Sequence, residues 1–312
     1  MKKVLFALAA VVALAACSKE QTLVTPQPDA IGFGQPFIEN STRVDYSTPG
    51  ALTAFNVYGT VTGTAGTVNI YEGVEVTKTK QENDDIGDAG SWWYAAGDAQ
   101  YWIPGASYNF AAIVDATVAT KDTYHMPLTL TTQADDAMYL KDMLYATATA
   151  SVNAEGTPSV NPVNFNFSHL LSKVKFTVTS NAMGGYYHTV TGIKVSNFET
   201  GTYTINGGTW AGGDAEQVAF APIAEVTSAT GALSNAELLL VPNAATFNVT
   251  FTVELFKNGT KLGTETKTIP VDTDLVKGNS YNFTIYCSVG NPIKFGVTND
   301  PTWGDSTDVA IQ

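Results

Sequence analysis

The chain has 312 residues, of which 44% are hydrophobic and 14% are charged, and its formal net charge at pH 7 is −13. If residues 1–16 are removed as a signal peptide, the two lysines at positions 2 and 3 are lost and the net charge becomes −15. A charge this negative argues against nucleic acid as a partner and against electrostatic docking on anionic membranes. Without residues 1–16 about 296 residues remain, a length that suggests roughly two domains.

The first residues have the pattern of a lipoprotein signal peptide. Two lysines precede the apolar run Val4–Ala16, which is too short to span a bilayer and has the length of a signal-peptide core. The run ends in Leu-Ala-Ala-Cys, which resembles a bacterial lipobox, so we expect cleavage before Cys17 and acylation of that cysteine. The Ser-Lys-Glu that follows resembles the surface-export signal of Bacteroides-type lipoproteins. An ordinary signal peptide with an incidental cysteine is the alternative.

A short strand is predicted soon after this leader. In IGFGQPFI, residues 31–38, the side chains of Ile31, Phe33 and Phe37 share one face by the period of two that strands have. Pro36 cannot donate a hydrogen bond to a neighbouring strand, which predicts a position at the edge of a sheet.

The chain contains a single arginine, Arg43, just after this predicted strand. One interpretation is a surface salt bridge, which contributes only about 0–1 kcal/mol and explains neither the position nor the isolation of the residue. The other is a proteolytic processing site with cleavage between Arg43 and Val44.

The rest of the chain is all-β in character, with short strands that recur between turns. Residues 247–255 alternate cleanly between apolar and polar side chains and lead into Asn258-Gly259, a pair that suits a type I′ hairpin turn. Residues 135–146 are the best candidate for a helix, but they are short and ambiguous. Alternation places Cys287 on a buried face, and since only Cys17 accompanies it, an internal disulfide is impossible in the mature chain.

One long-range repeat is present. WIPGASYNFAAIV (102–114) and LVKGNSYNFTIYC (275–287) both contain Gly-x-Ser-Tyr-Asn-Phe, a turn that leads into an alternating strand. The repeat suggests two domains of related construction, although chance convergence also explains a match of this length. The polar, proline-containing stretch at 151–162 is the predicted boundary, and β-sandwiches are the predicted architecture.

The sequence contains no recognisable catalytic or metal-binding motif. His125, His169 and His188 are far apart, and none has the i, i+4 spacing of a helical metal pair. The acidic run at 82–90 lacks the frame of an EF-hand loop, so we interpret it as a solvated loop. No nucleophile elbow, zinc-protease motif or phosphate-binding loop occurs, and the chain is interpreted as a non-enzyme without a cofactor.

A cluster of aromatic residues offers a different kind of site, because aromatic rings can stack on sugars. Most of these side chains are expected to fill the core of the first domain or its edge instead. The cluster consists of Trp92, Trp93, Tyr94, Tyr101 and Trp102.

The order of several segments resembles that of the fimbrillins of Bacteroidales, the lipoprotein-derived pilins of type V pili. The segments are the lipobox, IGFGQPFI followed by Thr-Arg, FSHLLSKVKFTV at 167–178, LVKGNSYNFTI, and the closing IKFGVTNDPTWGD. The resemblance implies two tandem transthyretin-like β-sandwich domains and export of the precursor as an outer-membrane lipoprotein. It also implies that an arginine- or lysine-specific protease removes the first strand, and it favours Arg43 as the cleavage site.

The resemblance also implies a division of the chain. The expected parts are a lipoprotein signal peptide (1–16), a lipidated propeptide with a removable first strand (17–43), an N-terminal β-sandwich (44–160), a C-terminal β-sandwich (161–292) and a C-terminal candidate donor strand (293–312).

The C-terminal residues repeat the pattern of the first strand, since IKFG echoes IGFG. Ile293, Phe295 and Val297 have the spacing of Ile31 and Phe33, and Val309 and Ile311 extend this apolar supply. They are therefore candidates for a strand donated to the opened groove of the next subunit. In the alternative, the first three residues form a closing strand of their own sandwich, and only Val309 and Ile311 donate, or no residue does.

The expected location is the outer membrane, the cell surface and the fimbrium. Expected partners are other fimbrial subunits, including tip and anchor subunits, an arginine-specific maturation protease, the outer membrane through the lipid, and a host or bacterial glycan or protein as adhesion ligand. Three functions stay open at this point. The chain could be a polymerising pilin, a tip or anchor fimbrillin or adhesin that joins at one end, or a monomeric glycan-binding surface lipoprotein.

We predict that the precursor carries fatty acids such as palmitate on Cys17, because two or more acyl chains make membrane anchoring stable. Metabolic labelling with a fatty-acid probe should mark the wild type and lose the label in Cys17→Ala. Cys287→Ser is the matched control and should keep the label. Equal label in wild type and Cys17→Ala would contradict acylation at this position.

Overall fold

The computed structural model describes residues 29–39, 52–82, 85–87, 92–135, 139–213, 215–219, 230–234, 238–243 and 247–300. These residues form strands and turns, with one short 3-10 helix at Ala96–Asp98. Among them, no helix has the length and apolar character needed to cross a membrane. The predicted all-β class is confirmed, and the sheets pack as β-sandwiches.

The strands follow one another with short turns. Those of the first half of the chain are β1 (Phe37–Ile38), β2 (Ala54–Gly63), β3 (Gly66–Thr77), β4 (Ser107–Val114), β5 (Ala116–Lys121), β6 (Pro127–Thr132), β7 (Ala134–Asp135), β8 (Tyr139–Leu140), β9 (Leu144–Ser151) and β10 (Asn166–His169). Those of the second half are β11 (Ser172–Asn181), β12 (Tyr186–Phe198), β13 (Gly201–Thr204), β14 (Thr209–Gly212), β15 (Ala215–Ala219), β16 (Thr230–Ser234), β17 (Leu238–Leu240), β18 (Phe247–Lys257), β19 (Thr260–Val271), β20 (Ser280–Ser288) and β21 (Lys294–Asp300).

A six-stranded sheet forms the first half, in the order β1-β10-β9-β4-β2-β3. β1 runs parallel to β10, and the other neighbours are antiparallel. Because side chains alternate along each strand, one face of this sheet is apolar and includes Phe55 of β2 and Phe110 of β4. Residues 29–39 and 92–102 cover that face and contribute Phe33 and Trp92, among others, to the same buried cluster.

The second half is a sandwich of two sheets. One has the order β16-β11-β20-β21, with β17 also paired to β11, and the other has the order β15-β12-β18-β19. β11 and β20 run parallel, and the rings of Phe176 and Phe283 stack at 5.2 Å in the core between the sheets. Phe251 of β18 belongs to the same core. At the β18–β19 hairpin Asn258 and Gly259 both have positive φ, as a type I′ turn requires.

A further four-stranded sheet joins the two halves. Its order, β14-β13-β6-β5, takes two strands from each half, with β13 paired antiparallel to β6. A separate buried cluster lies beside it and includes Leu130 from the first half and Tyr203 from the second. The indole Nε1 of Trp210 also donates a hydrogen bond to the carbonyl of Leu170 at 3.0 Å. β7 and β8 form a small separate sheet.

The segment between the halves packs with the first of them. β10 pairs with β9, and the alternating apolar residues before it, such as Phe165, belong to the cluster of the six-stranded sheet. The expected division between residues 160 and 161 stays a prediction. These contacts favour a boundary after His169.

The repeated Gly-x-Ser-Tyr-Asn-Phe motif has the same local structure in both copies. The Tyr108 hydroxyl accepts a hydrogen bond from Ile103 N at 2.7 Å, and the Tyr281 hydroxyl accepts one from Val276 N at 2.8 Å. Each tyrosine also donates to the carbonyl seven residues earlier. The glycines, Gly105 and Gly278, have φ of 74° and 73°, in the region where only glycine is unstrained. The motif therefore encodes a turn that is fastened to its following strand.

Two further expectations are settled by the described residues. The candidate helix at 135–146 is wrong, because the described residues of this stretch include β8 and the first three residues of β9 as strands. Cys287 is fully buried, as alternation predicts, and burial raises the pKa of its thiol to about 11. The thiol is therefore protonated at neutral pH and unreactive.

Tyr281→Phe should lower the free energy of unfolding by about 1–2 kcal/mol, because it removes both hydrogen bonds that fasten the turn before β20. Urea unfolding of the full chain measures the change. Tyr124→Phe, at an exposed position, is the control and should leave the midpoint unchanged. Equal midpoints for both variants would show that the tyrosine hydroxyl does not stabilise the turn.

Candidate functional site

The candidate site is the groove that holds residues 29–39, called here the N-terminal segment. On one side the segment lies along residues 163–167 through backbone hydrogen bonds. Gly34 N donates to Val163 O, and Phe37 N donates to Phe165 O, each at 2.9 Å. The last of these bonds joins Glu39 N to Phe167 O.

The other side of the N-terminal segment is also paired over its first residues. Ile31 N donates to Gln100 O at 2.9 Å, and Trp92 N donates to Phe33 O at 3.1 Å. The expectation of an edge strand is therefore wrong for this stretch, which lies between two partners. Pro36 comes after the doubly paired residues, and among the described residues only β10 pairs with β1. Pro36 therefore indicates an edge only at its own position. It does not predict the pairing of residues 30–33.

Phe33 fills the centre of the groove and is fully buried. Its ring contacts four other aromatic rings, with centroid distances from 5.5 to 6.3 Å. These rings come from different parts of the first half, namely Tyr71 of β3, Tyr94, Phe110 of β4 and Phe165. A single side chain of the segment thus joins the sheet to the residues that cover it.

Ile31 is the second buried side chain of the segment. Its carbonyl accepts a hydrogen bond of 2.8 Å from the hydroxyl of Tyr94, which in turn lies 3.5 Å from the hydroxyl of Tyr71. Burial raises the pKa of both tyrosines, so both hydroxyls stay protonated. The groove therefore holds this residue by an apolar pocket and by a buried donor.

Phe37 does not share the buried face of Ile31 and Phe33, because 61% of its surface is exposed. The hydrogen bonds explain the difference. Two residues lie between Gly34 and Phe37, whereas only one lies between their acceptors, Val163 and Phe165. One extra residue in a strand turns the following side chains to the opposite face, so Phe37 points outward and Ile38 packs against the core.

Two glycines of the segment have different surroundings. An added Cβ at Gly34 would lie 2.1 Å from Oδ1 of Asn164 and 3.1 Å from Cγ of Pro162. At Gly32 the nearest atom to such a Cβ would be Oδ1 of Asn161, at 3.4 Å, an ordinary contact. Neither glycine has a positive φ, so the difference is one of space and not of backbone conformation.

An open cavity of about 450 Å³ lies beside Gly32. It is lined by Asp29, Ala30, Gly32, Asp85, Ile86, Gly87, Asn161 and Pro162. Asp85 is mostly buried, and its Oδ2 accepts hydrogen bonds from the backbone N–H groups of Gln81 and Glu82. The groove thus has an unfilled, acidic extension at this point of the segment.

The first three candidate donor residues lie in the molecule's own second sandwich. β21 pairs antiparallel with β20, with Phe295 opposite Ile285 and Val297 opposite Phe283. Ile293, Phe295 and Val297 pack partly buried against that core. This is the alternative of a closing strand. Among the described strands, β21 is nevertheless the last of its sheet and pairs with β20 alone.

Several expected site residues lie outside the described residues. Cys17 precedes the first described range, Arg43 and Val44 lie in the gap between residues 39 and 52, and Val309 and Ile311 follow the last described range. Their roles stay predictions.

The aromatic cluster does not form one exposed stacking face. Trp92, Tyr94 and Trp102 are buried in the first core, as expected for most of the cluster, whereas Tyr101 is 40% exposed. Trp93 is half-buried, and the Nζ atom of Lys80 lies 4.8 Å from its ring centroid.

The histidines are apart, and each has its own surroundings. Nδ1 of His169 lies 2.9 Å from a carboxylate oxygen of buried Asp142, and His125 contacts Glu72 at the surface. Burial lowers the pKa of His188. Among the described residues, no three His, Cys, Asp or Glu side chains are grouped as a metal site would require.

Sequence reasoning missed the residues that receive the segment. Asn161 and Pro162 lie in the stretch assigned to a domain boundary, and Asn164 follows shortly after it. The alternation of Val163, Phe165 and Phe167 was a signal for a strand there, but nothing local indicated that its partner lies about 130 residues earlier.

Both the sequence and the fold of this chain resemble those of known proteins. A family model described as fimbrillin-like matches residues 42–301. A crystal structure described as a candidate cell adhesion protein from Bacteroides uniformis is 16% identical, with a TM-score of 0.53, and covers 90% of this chain and 99% of its own. A similarly described protein from Bacteroides ovatus is 17% identical, with a TM-score of 0.53, and covers 88% of this chain and 96% of its own.

A more distant match is the fimbrial anchor protein Mfa2 from Porphyromonas gingivalis, at 14% identity and a TM-score of 0.42, covering 83% of this chain and 91% of its own. No curated protein matches the sequence significantly. The structure defines an all-β protein of packed sandwiches with a strand-holding groove. Because the family model spans most of the chain, this protein belongs to the fimbrillin-like family, and the predicted resemblance is confirmed.

Gly34→Ala should lower the free energy of unfolding by about 1–3 kcal/mol, because the new methyl group forces Asn164 away and crowds Pro162. Gly32→Ala is the matched control and should be neutral or slightly stabilising, since it meets only ordinary contacts. Adding Asn164→Ala to Gly34→Ala should restore most of the loss. Urea unfolding followed by tryptophan fluorescence measures all four proteins, and equal stability of the two alanine variants would contradict the steric difference.

Proposed function

We propose that this chain is a subunit of a surface fimbria that serves adhesion. In this proposal it is exported as a lipoprotein, cut after Arg43 and polymerised by strand exchange. Its partners are other copies and other fimbrial subunits, an arginine-specific protease and, before cleavage, the outer membrane. Its role is structural and not enzymatic, in keeping with its membership of the fimbrillin-like family.

The observation that carries the proposal is the way in which the N-terminal segment is held. Backbone hydrogen bonds and the two buried side chains, Ile31 and Phe33, hold a stretch that belongs to the expected propeptide. Arg43 follows the end of the segment by four residues. Cleavage there separates the whole segment, together with the lipid on Cys17, from the remaining chain.

Departure of the segment leaves a surface that is unfavourable in water. Burial of a Phe or Ile side chain contributes about 1.5–3 kcal/mol, and the aromatic pocket of Phe33 would lose this contribution. Each backbone donor or acceptor that is left buried without a partner costs a further amount of about 1–3 kcal/mol. These costs favour entry of another strand with similar side chains.

The C-terminal residues 293–312 of another copy are the proposed donor. In the described part of the chain β21 lies at the edge of its sheet with half-buried side chains, and Val309 and Ile311 follow it in sequence. Insertion into the groove of a neighbour is a head-to-tail contact, and such a contact does not close on itself. The product is a filament.

Two other functions differ from this one at a single step. A tip or anchor subunit would lack either the cleavage or the donated strand. A monomeric glycan-binding lipoprotein would keep both its segment and its lipid, and the burial of Trp92 and Trp102 in the core argues against an aromatic sugar site.

Arg43→Ala should leave the protein as an uncut, membrane-bound monomer, because it removes the only arginine of the chain. In the wild type, mass spectrometry of filament-derived protein should find Val44 as the first residue. Lys78→Ala, which removes a basic residue after the proposed site, is the control and should not affect cleavage. Assembled subunits that begin at Cys17 would rule the proposal out.

A further inference from the structure

The two glycines of the N-terminal segment define what the groove accepts. Position 34 disfavours a side chain, because the side chains of Asn164 and Pro162 lie against it and would have to shift. Position 32 accepts one, because its nearest neighbours are at van der Waals distance and the cavity of about 450 Å³ lies beside it. The native segment leaves that cavity unfilled, since its residue there is a glycine.

The chemistry of the cavity favours a cation. Of its lining residues, Asp29 belongs to the segment and would leave with it, whereas Asp85 and Asn161 belong to the groove and remain. Asp85 is a lining residue whose carboxylate accepts two backbone hydrogen bonds through Oδ2, and the amide oxygen of Asn161 accepts a hydrogen bond from Gly32 N at 3.2 Å. A strand with a long, positively charged side chain at position 32 could reach this carboxylate.

One other stretch of this chain satisfies both requirements. The pattern Ile-x-Phe-Gly occurs twice in the sequence, at residues 31–34 and at residues 293–296, where it reads Ile293-Lys294-Phe295-Gly296. In the register that places Phe295 on Phe33, Gly296 falls where a side chain is disfavoured and Lys294 falls beside the cavity. Lys294 is exposed on the edge strand β21, so its side chain is accessible in the free subunit.

We propose that the cavity beside Gly32 is the binding site for the ammonium group of Lys294 from a second copy of this chain, paired there with Asp85. The inference rests on the proposed function, since the segment must first be removed. It fixes the register of the incoming strand, with Ile293 in the pocket of Ile31 and Phe295 in the pocket of Phe33. The ion pair then distinguishes this strand from others of similar apolar pattern.

Crosslinking tests the register directly. One protein carries Asp85→Cys and another carries Lys294→Cys, both in a Cys17→Ser, Cys287→Ser background, so any disulfide between these positions joins two chains. Full-length precursors are mixed, cut with an arginine-specific protease and oxidised. A covalent dimer should form after cleavage and should be absent without it. Lys267→Cys, on the exposed strand β19, replaces Lys294→Cys as the control and should give no dimer.

Assembly rates test the ion pair. Lys294→Gln and Asp85→Asn should each slow assembly of cut protein about tenfold, and the double variant should be no slower than either, because both remove one interaction. Asp85→Asn keeps an oxygen for the backbone of Gln81 and Glu82, so the local loop is preserved. Thermal unfolding of each uncut monomer checks that the fold is intact, and Lys267→Gln controls for loss of any lysine.

The outcomes of these two experiments decide whether Lys294 of a second copy binds beside Asp85. Tenfold losses with the covalent dimer support the inference. Filaments that form at the wild-type rate in both variants, without the dimer, overturn it and point to another register, such as one through residues 302–312, while the proposed function stands. If cut wild-type protein does not assemble at all, the proposed function and this inference are both wrong.

Discussion

The burial of Phe33 among four aromatic rings is the contact on which the first half of the molecule depends. Its partners come from β3, from β4 and from the stretches at 94 and 165. The side chain that completes this core belongs to a segment near the start of the chain, held by backbone bonds on two sides. A core whose central residue lies on such a segment is stable while the segment stays, and it is open to a replacement when the segment leaves.

Local patterns in the sequence predict local structure well here. Alternation predicted the strand that contains Cys287, and the Asn258-Gly259 pair predicted the turn between β18 and β19. Patterns failed where a distant partner decides the outcome. Pro36 suggested an edge for residues that are paired twice, and strict alternation placed Phe37 inside, although one extra residue opposite 163–165 turns it outward. Neither partner stretch adjoins the segment in sequence, so no local signal could reveal them.

The repeat illustrates the same limit. Both copies of Gly-x-Ser-Tyr-Asn-Phe form a glycine turn fastened by a tyrosine, because those few residues contain every group that the turn needs. The strands that follow have different neighbours. β4 lies between two antiparallel strands, whereas β20 has one parallel and one antiparallel neighbour. A shared motif therefore shows common local construction, and the sheet around it is set by the rest of the chain.

The antiparallel sheet of β14, β13, β6 and β5, which takes strands from both halves, has a mechanical consequence. Thr202, Tyr203 and Thr204 of one half pair with residues 129–131 of the other, so the halves are joined by a ladder of hydrogen bonds as well as by the covalent chain. A tensile load between the two halves is carried by this ladder as well as by the covalent chain. Bending between the halves would break several bonds at once, which makes each subunit stiff. The compliance of a fibre built from such subunits would then reside at the joints between them.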